Sequence, residues 1–330
     1  MSSAVQIVSM GQYLPRKVVS SASLEERLDL EPGWIEDHQG VAERRWAEGE
    51  ETHSFMGAQA ALEALGNAGL GKGDIDLIIS ASGSCEQGIP DTAALIERAL
   101  GWGMSGIPCF HVHATCLSFL VALDVAVSFI KSGRYQTILI VTSEVTGGSL
   151  DWSHPESSTL FGDGAVAAIV RPTPEGESSA IEQVHFETYG DGAHLTEVLG
   201  GGMRVHPNDP NTRPEDFLFR MDSRGVMRMV GKLAIPFFER VRTGLSKGLG
   251  DIDLVVPHQA SKLGIRSLQF FGMTADKVVH TLESRGNCIA ASIPITLHHA
   301  IETGRLKRGD RVLLVGSGAG LSLGAIILTY

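Results

Sequence analysis

The stretch Cys109-Phe110-His111-Val112-His113-Ala114-Thr115-Cys116 holds two cysteines and two histidines ahead of an apolar run from Leu117 to Ser132. With Phe110 to Ala114 read as a strand, His111 and His113 share one face, because side chains alternate along a strand. Cys116 then falls at a strand-to-helix turn, at the start of an apolar helix closed by Lys131 and Gly133. A helix N-terminus lowers a thiol pKa and offers backbone N–H groups to an oxyanion, so Cys116 is a candidate nucleophile. Taken alone, the segment also fits a buried structural cysteine. Zinc fits poorly: a continuous strand cannot wrap four ligands around one ion, and no second Cys- or His-rich knuckle follows. No metal is expected.

Three later stretches carry further polar groups. In Leu254-Val255-Val256-Pro257-His258-Gln259-Ala260-Ser261, the histidine stands just beyond an apolar strand, at the carboxyl end where α/β sheets bind ligands. A satisfied core or surface histidine is the competing reading. Asn287, within Ser284-Arg285-Gly286-Asn287-Cys288-Ile289-Ala290-Ala291-Ser292, offers two amide N–H donors, or serves as a turn or cap residue. Gly316-Ser317-Gly318-Ala319-Gly320-Leu321 follows a strand ending at Val315. A dinucleotide reading fails there, because the third glycine is misplaced and Leu321 to Tyr330 reads as a strand, leaving no helix N-terminus for a pyrophosphate. A flexible turn whose backbone N–H groups face a site is the better use.

The elements that position these residues alternate. Asp76 to Ser80, Thr137 to Val141, Leu254 to Pro257 and Val312 to Val315 read as buried strands, and Met56 to Ala68, Leu117 to Ser132 and Ile293 to Thr303 as helices. This alternation predicts an α/β fold with parallel strands. Asp74-Ile75-Asp76-Leu77 recurs as Asp251-Ile252-Asp253-Leu254, and Arg134 to Val141 is echoed by Arg308 to Val315 at nearly the same offset. Two echoes in the same order suggest a duplicated half, with a boundary near Pro172 to Glu177. Gly190 to Pro214, polar and rich in Gly and Pro, reads as a long surface loop.

A chain of 330 residues, 43% of them hydrophobic, has ample material for a core. Its net charge of −11 argues against a nucleic-acid partner. No apolar run approaches the roughly 20 residues a membrane span needs, and the N-terminus shows no secretory pattern. Four cysteines make no disulfide framework, so a cytoplasmic setting is expected. Arg224, Arg228 and Lys232 recur every four residues, and Lys262 and Arg266 repeat the spacing. In so acidic a chain these stripes are candidate docking sites for an acidic partner as well as plain solvated faces.

The ordered set of Cys116, then Pro257-His258-Gln259-Ala260, then Gly286-Asn287 with Ala290-Ala291-Ser292-Ile293-Pro294, then a terminal glycine turn resembles the β-ketoacyl-acyl-carrier-protein synthase III family of the thiolase superfamily. Gly40-Val41-Ala42-Glu43-Arg44-Arg45 and Phe161-Gly162-Asp163-Gly164-Ala165 extend the resemblance essentially end to end. It implies a thiolase-like fold of two duplicated α/β halves, 1–174 and 175–330, packed as αβαβα layers. It implies acyl transfer to Cys116, with the backbone N–H groups of Cys116 and Ala319 as oxyanion hole, then decarboxylative condensation with a malonyl thioester, His258 and Asn287 stabilising the enolate. It further implies an acyl-CoA or acyl-ACP donor, malonyl-ACP or malonyl-CoA as second substrate, an acyl carrier protein docked on the basic stripes, substrate contacts at Trp34, Ile89 and Phe161, a homodimer, and no resident cofactor.

Some positions depart from the family pattern. His38 stands where priming relatives place an Arg beside the Trp, and the Arg that precedes Phe161 in those relatives is replaced within His154 to Ser158, which favours a carrier-protein donor over coenzyme A. Ser261 replaces the usual Asn. Ile89 occupies the place before Pro90 where head-to-head condensing relatives carry Glu, and Glu86 lies three residues earlier. Acyl transfer to an alcohol or amine, head-to-head condensation, and a silent partner subunit are the rival readings.

Overall fold

The computed structural model describes residues 4–330. One sheet contains β1 (Val5–Tyr13), β2 (Leu77–Ser80), β3 (Cys109–His111), β4 (Ile138–Glu144) and β5 (Gly164–Pro172), in the order β1-β5-β4-β2-β3. Strands β4, β2 and β3 run parallel, while β5 and β1 add antiparallel strands. The other sheet contains β6 (Ala180–Thr188), β7 (Leu254–Pro257), β8 (Arg311–Gly318) and β9 (Ser322–Thr329), in the order β7-β8-β9-β6. Strands β7 and β8 are parallel, and β9 and β6 antiparallel. The two sequence echoes therefore fall on equivalent strands: β2 beside β4 in one sheet, β7 beside β8 in the other. An isolated parallel bridge between Val255 and Val278 stands where β3 stands in the first sheet.

The principal helices are α1 (His53–Ala68), α2 (Thr92–Ala99), α3 (Ser118–Lys131), α4 (Ser223–Val241), α5 (Lys262–Ser267) and α6 (Ser292–Glu302). Every residue of β4 is buried, and its side chains divide between two faces. Ile138 and Ile140 join α3 and α6 in a core that also takes in Val256, Leu314 and Ile326 of the other sheet. Leu139 and Val141 face outward against Met56, Ala60 and Ala64 of α1. On the far side, Phe237 and Phe238 of α4 cover Val255, Leu313 and Ile327. The layers thus run helix, sheet, helix, sheet, helix. A helix between two sheets meets no water on either broad face, which explains why α3 is apolar nearly all round.

Several boundaries differ from the sequence expectation. The predicted strand from Phe110 to Ala114 ends at His111, and the residues around Cys116 form a 3-10 turn, Thr115–Leu117, before α3 begins. The glycine turn is shorter than predicted. Strand β8 continues through Gly318, leaving Ala319 to Leu321 as the connection to β9. Within Gly190 to Pro214, a 3-10 turn (Gly190–Leu195) and a two-residue strand (Thr196–Glu197) precede the irregular stretch.

Candidate active site

The turn bearing Cys116 is held by close packing. Thr115 has φ 50°, an unfavourable region for a β-branched residue that persists only where neighbours impose it. Its hydroxyl reaches the Ala319 carbonyl at 3.4 Å. Ser118 Oγ accepts from Ala114 N at 2.9 Å and donates to the Thr115 and Ser82 carbonyls, tying the turn to the loop after β2. On the other side lies β8. A Cβ on Gly316 would meet the Cβ of His258 at 2.8 Å and Leu117 at 3.3 Å, and one on Gly318 would meet Thr115 Oγ1 at 2.7 Å and Cys116 N at 3.6 Å. Both glycines therefore lie in the strand because the Cys116 turn and His258 press on its backbone, rather than to form a flexible turn.

Cys116 itself keeps some surface open. The backbone N–H groups of Cys116 and Ala319 lie against its sulfur and favour the thiolate. Burial and the nearby Glu144 carboxylate outweigh them and push the thiol up to about 12. The expectation of a lowered pKa is thus corrected: the turn is sunk between two sheets, where desolvation exceeds what two backbone dipoles return.

His258 follows β7, is buried, and donates its backbone N–H to Val315 O at 2.8 Å. Burial alone pulls its imidazole down to about 4, so the ring is neutral near pH 7, and its Nδ1 has no protein partner. Asn287 is also buried. Its Oδ1 accepts from Ile289 N at 2.9 Å and Ser292 Oγ at 3.2 Å, which orients the amide and leaves its N–H donors free of those bonds. The segment Gly286–Asn287 interlocks with Leu160–Gly162: Asn287 N donates to Leu160 O, and Gly162 N donates to Asn287 O. The fully buried Arg44 braces this junction from below through a 2.7 Å bond to Thr159 O.

The sequence reading missed Glu144, the last residue of β4. Its carboxylate is buried and accepts from Gly83 N at 2.5 Å, Ser84 N at 2.9 Å, Ser84 Oγ, and Ala290 N at 3.3 Å. Burial, opposed by these four bonds, pushes it up to about 7. The sequence predicts the strand only over Thr137 to Val141, and the three further residues, Thr142, Ser143 and Glu144, are polar and carry no apolar signal.

The remaining candidates are more scattered. Trp34 is half-buried and stacks on His38, ring centroids 4.3 Å apart, so one face of the indole is already covered. Ile89 is 90% exposed at the loop tip. Glu86 accepts from Ser54 N at 2.7 Å, at the start of α1. Phe161 is buried edge-to-face against Phe219. Arg224, Arg228 and Lys232 are exposed along α4, and Arg266 is exposed on α5. Lys262 is not a free cation: its Nζ donates to the Glu36 and Asp37 carbonyls at 3.0 and 3.3 Å.

Two family descriptions match the chain: 3-oxoacyl-[acyl-carrier-protein] synthase III over residues 110–190, and the C-terminal part of the same enzyme over residues 244–330. The β-ketoacyl-[acyl-carrier-protein] synthase III of Aquifex aeolicus is 35% identical over 98% of this chain and 99% of its own. The chain belongs to the β-ketoacyl-ACP synthase III family. Members of this family are condensing acyltransferases of the thiolase fold. The crystal structure of the Aquifex aeolicus synthase III superposes with a TM-score of 0.85 at 33% identity, covering 99% of this chain and 100% of that one. OleA of Xanthomonas campestris, at 24% identity and a TM-score of 0.86 over 99% of this chain and 97% of that one, shares the synthase III fold.

Proposed function

We propose that Cys116, His258 and Asn287 carry out the synthase III reaction: acyl transfer from a thioester to Cys116, followed by decarboxylative condensation with a malonyl thioester. The observation that carries the reading is the set of backbone N–H groups of Cys116 and Ala319 at the Cys116 sulfur, beside a neutral His258 and an Asn287 with oriented amide. In the first step the sulfur attacks the acyl carbonyl while the two N–H groups receive the oxyanion. The new thioester stores the acyl group. In the second step the malonyl carboxylate leaves as CO₂, and the carbonyl beside it becomes an enolate. Neutral N–H donors suit that charge, and the Asn287 amide is no nucleophile toward the acyl group. The enolate then attacks acyl-Cys116.

The exposed Arg224, Arg228, Lys232 and Arg266 support an acidic carrier protein as a substrate vehicle. Helix α4 adjoins the segment after α5 through Phe238 and Phe271, ring centroids 4.8 Å apart, and Leu263 and Phe270 of that region are exposed. Trp34 with its covered face favours a carrier-linked donor over coenzyme A. Ile89, at the exposed tip of its loop, fits a residue completed by a second copy, and a homodimer is part of this reading. No helix among the described residues is long and apolar enough to cross a membrane, and a cytoplasmic setting accords with that.

The test is intact-protein mass after incubation with short, long and dicarboxylic acyl donors on coenzyme A and on carrier protein. The expected result is an adduct on Cys116 that disappears, with formation of a β-ketoacyl thioester, when malonyl-carrier protein is added. An adduct that malonyl-carrier protein leaves untouched refutes condensation and favours transfer to an alcohol or amine.

A further inference from the structure

The echo between the two parts of the chain reaches the site itself. Ile289 follows Thr115 by the same offset that separates Arg308 from Arg134. Thr115–Leu117 and Ile289–Ala291 are both 3-10 turns, and each leads into a helix whose first residue is serine, Ser118 of α3 and Ser292 of α6. Thr115 has φ 50° and Ile289 φ 46°, and among the described residues Asp29 is the one other non-glycine with positive φ. So unfavourable a conformation for a β-branched residue does not recur at matching positions by accident. Ala290 is therefore the counterpart of Cys116.

The strand ends cross over to these turns. Strand β8 ends at Gly318, which lies against the Cys116 turn: a Cβ there would stand 2.7 Å from Thr115 Oγ1 and 3.6 Å from Cys116 N. Strand β4 ends at Glu144, the counterpart of Gly318 by the same offset, and its Oε1 accepts from Ala290 N at 3.3 Å. Glycine thus brings no side chain to the N–H of the Cys116 turn, whereas glutamate brings a carboxylate to the N–H of the other. The same Oε1 accepts from Gly83 N at 2.5 Å. Gly83 is a wedge between the two turns, since a Cβ on it would meet Ile289 Cγ2 at 2.6 Å and Thr115 C and O at 3.4 Å. One oxygen therefore ties this wedge to the turn whose Ile289 N–H holds Asn287 Oδ1 at 2.9 Å.

We propose that Glu144 is a positioning residue for condensation: its carboxylate fills, at Ala290, the place that Gly318 leaves open for the oxyanion at Cys116, and its shared Oε1 fixes the direction of the Asn287 amide relative to the nucleophile. The proposal rests on the roles given above to Cys116 and Asn287. Cys116 has supports of its own, in the Ser118 Oγ bonds and the packing of β8. Asn287 is pinned at its backbone by Leu160 and Gly162, and Glu144 holds the turn whose Ile289 N–H orients its amide. Loss of the shared oxygen is therefore felt at the enolate donor before it is felt at the sulfur.

Glu144→Met and Glu144→Gln test this with side chains of similar length. Glutamine keeps an oxygen for Gly83 N and Ala290 N, and methionine keeps none. Acylation of Cys116 is read by quenched-flow intact mass, and condensation by the β-ketoacyl product formed from preformed acyl-Cys116. Both are measured above the value of about 7 to which burial raises Glu144, so that the parent carboxylate is ionised. In Glu144→Met, acylation is expected within a few-fold of the parent, and condensation is expected to fall on the order of 10- to 100-fold. Glu144→Gln is expected to bring condensation back to within a few-fold of the parent. If Glu144→Met does not fold, Glu144→Asp takes its place, its shorter carboxylate drawn back from Gly83 and Ala290, with the same split expected. Parent-like condensation in Glu144→Met or its replacement overturns the proposal. So does acylation that falls as far as condensation, or a Glu144→Gln that condenses no better than the variant it is compared with. If the parent itself forms no acyl-Cys116, the assignment of the nucleophile fails and the proposal with it.

Discussion

Replacing Gly318 by Ala tests whether β8 sets the position of the nucleophile. The residue lies in a paired strand without positive φ, so alanine's backbone preference is not at issue and only contact matters. The new Cβ would stand 2.7 Å from Thr115 Oγ1, about 0.7 Å inside ordinary contact. Thr115 Oγ1 can move off by rotating about χ1 only by giving up its 3.4 Å contact with Ala319 O. A backbone retreat instead carries Cys116, whose nitrogen is 3.6 Å from the same Cβ. Overpacking of this size costs about 1–3 kcal/mol, a fall in melting temperature of a few degrees. The effect on chemistry should be larger. A displacement approaching 1 Å between a nucleophile and its oxyanion donors lowers the rate about 100-fold. Stopped-flow quench with intact mass gives the acylation rate directly. Gly66→Ala, in α1 with nothing within 4 Å of the new methyl, is the control and should acylate normally with equal or greater stability. Parent-like acylation by Gly318→Ala would refute the idea that glycine serves the Cys116 turn.

Three other outcomes are expected. Asn287→Asp keeps an acceptor for Ile289 N and Ser292 Oγ but places a carboxylate where the amide donated, so condensation should fall by about 10²–10³ while acyl-Cys116 still accumulates in the mass assay. Because folded His258 takes up its proton only near pH 4 and the unfolded residue near 6.5, its neutral state contributes stability that is lost as pH falls through that window. Chemical denaturation of His258→Phe at pH 7 and pH 4 should therefore show an acid loss smaller by on the order of 3 kcal/mol than in the parent, and equal losses would contradict the burial argument. Reversing Arg224, Arg228 and Lys232 to Glu should raise KM for malonyl-carrier protein about tenfold at low salt and much less at high salt, with malonyl-coenzyme A unaffected; a salt-independent change would point away from docking.

The fold was legible where burial is two-sided. Strands such as β4 and β7 are packed on both faces and read as unbroken apolar runs, and the paired echoes at Asp74 and Asp251 marked equivalent strands before any topology was known. His258 stood out at the end of such a run, Cys116 at the start of the apolar stretch that forms α3, and Asn287 among the small residues ahead of α6. Glu144 did not stand out, because its partners, Gly83, Ser84 and Ala290, come from two distant segments that only the fold brings together. Gly316 and Gly318 were misread for a related reason. A glycine in sequence signals conformational freedom, whereas these two record the approach of Leu117 and Thr115 from about 200 residues away. The thiol pKa was misjudged because a helix N-terminus is visible in a sequence and the depth of the turn it caps is not.

The electrostatics around Cys116 bear on why condensation is driven by loss of CO₂. Burial holds the Cys116 thiol at about 12 and the His258 imidazole at about 4, so near pH 7 neither group carries charge in the empty site. His258 has burial as the sole cause of its shift, with no cation or carboxylate acting on it. A malonyl carboxylate entering beside these groups exchanges water for neutral donors and gains no ion pair from His258. On the proposed reading, departure of CO₂ moves that charge onto the thioester carbonyl, where the His258 and Asn287 N–H groups receive it. A permanent cation at position 258 would stabilise the carboxylate before reaction as well as the enolate after it, and uniform stabilisation does not lower the barrier between them. On this argument His258→Lys should bind malonyl thioester at least as tightly as the parent yet decarboxylate it more slowly, seen as a lower KM together with a lower kcat for CO₂ release. A raised KM with kcat preserved would mean that neutrality at position 258 is not what drives the step.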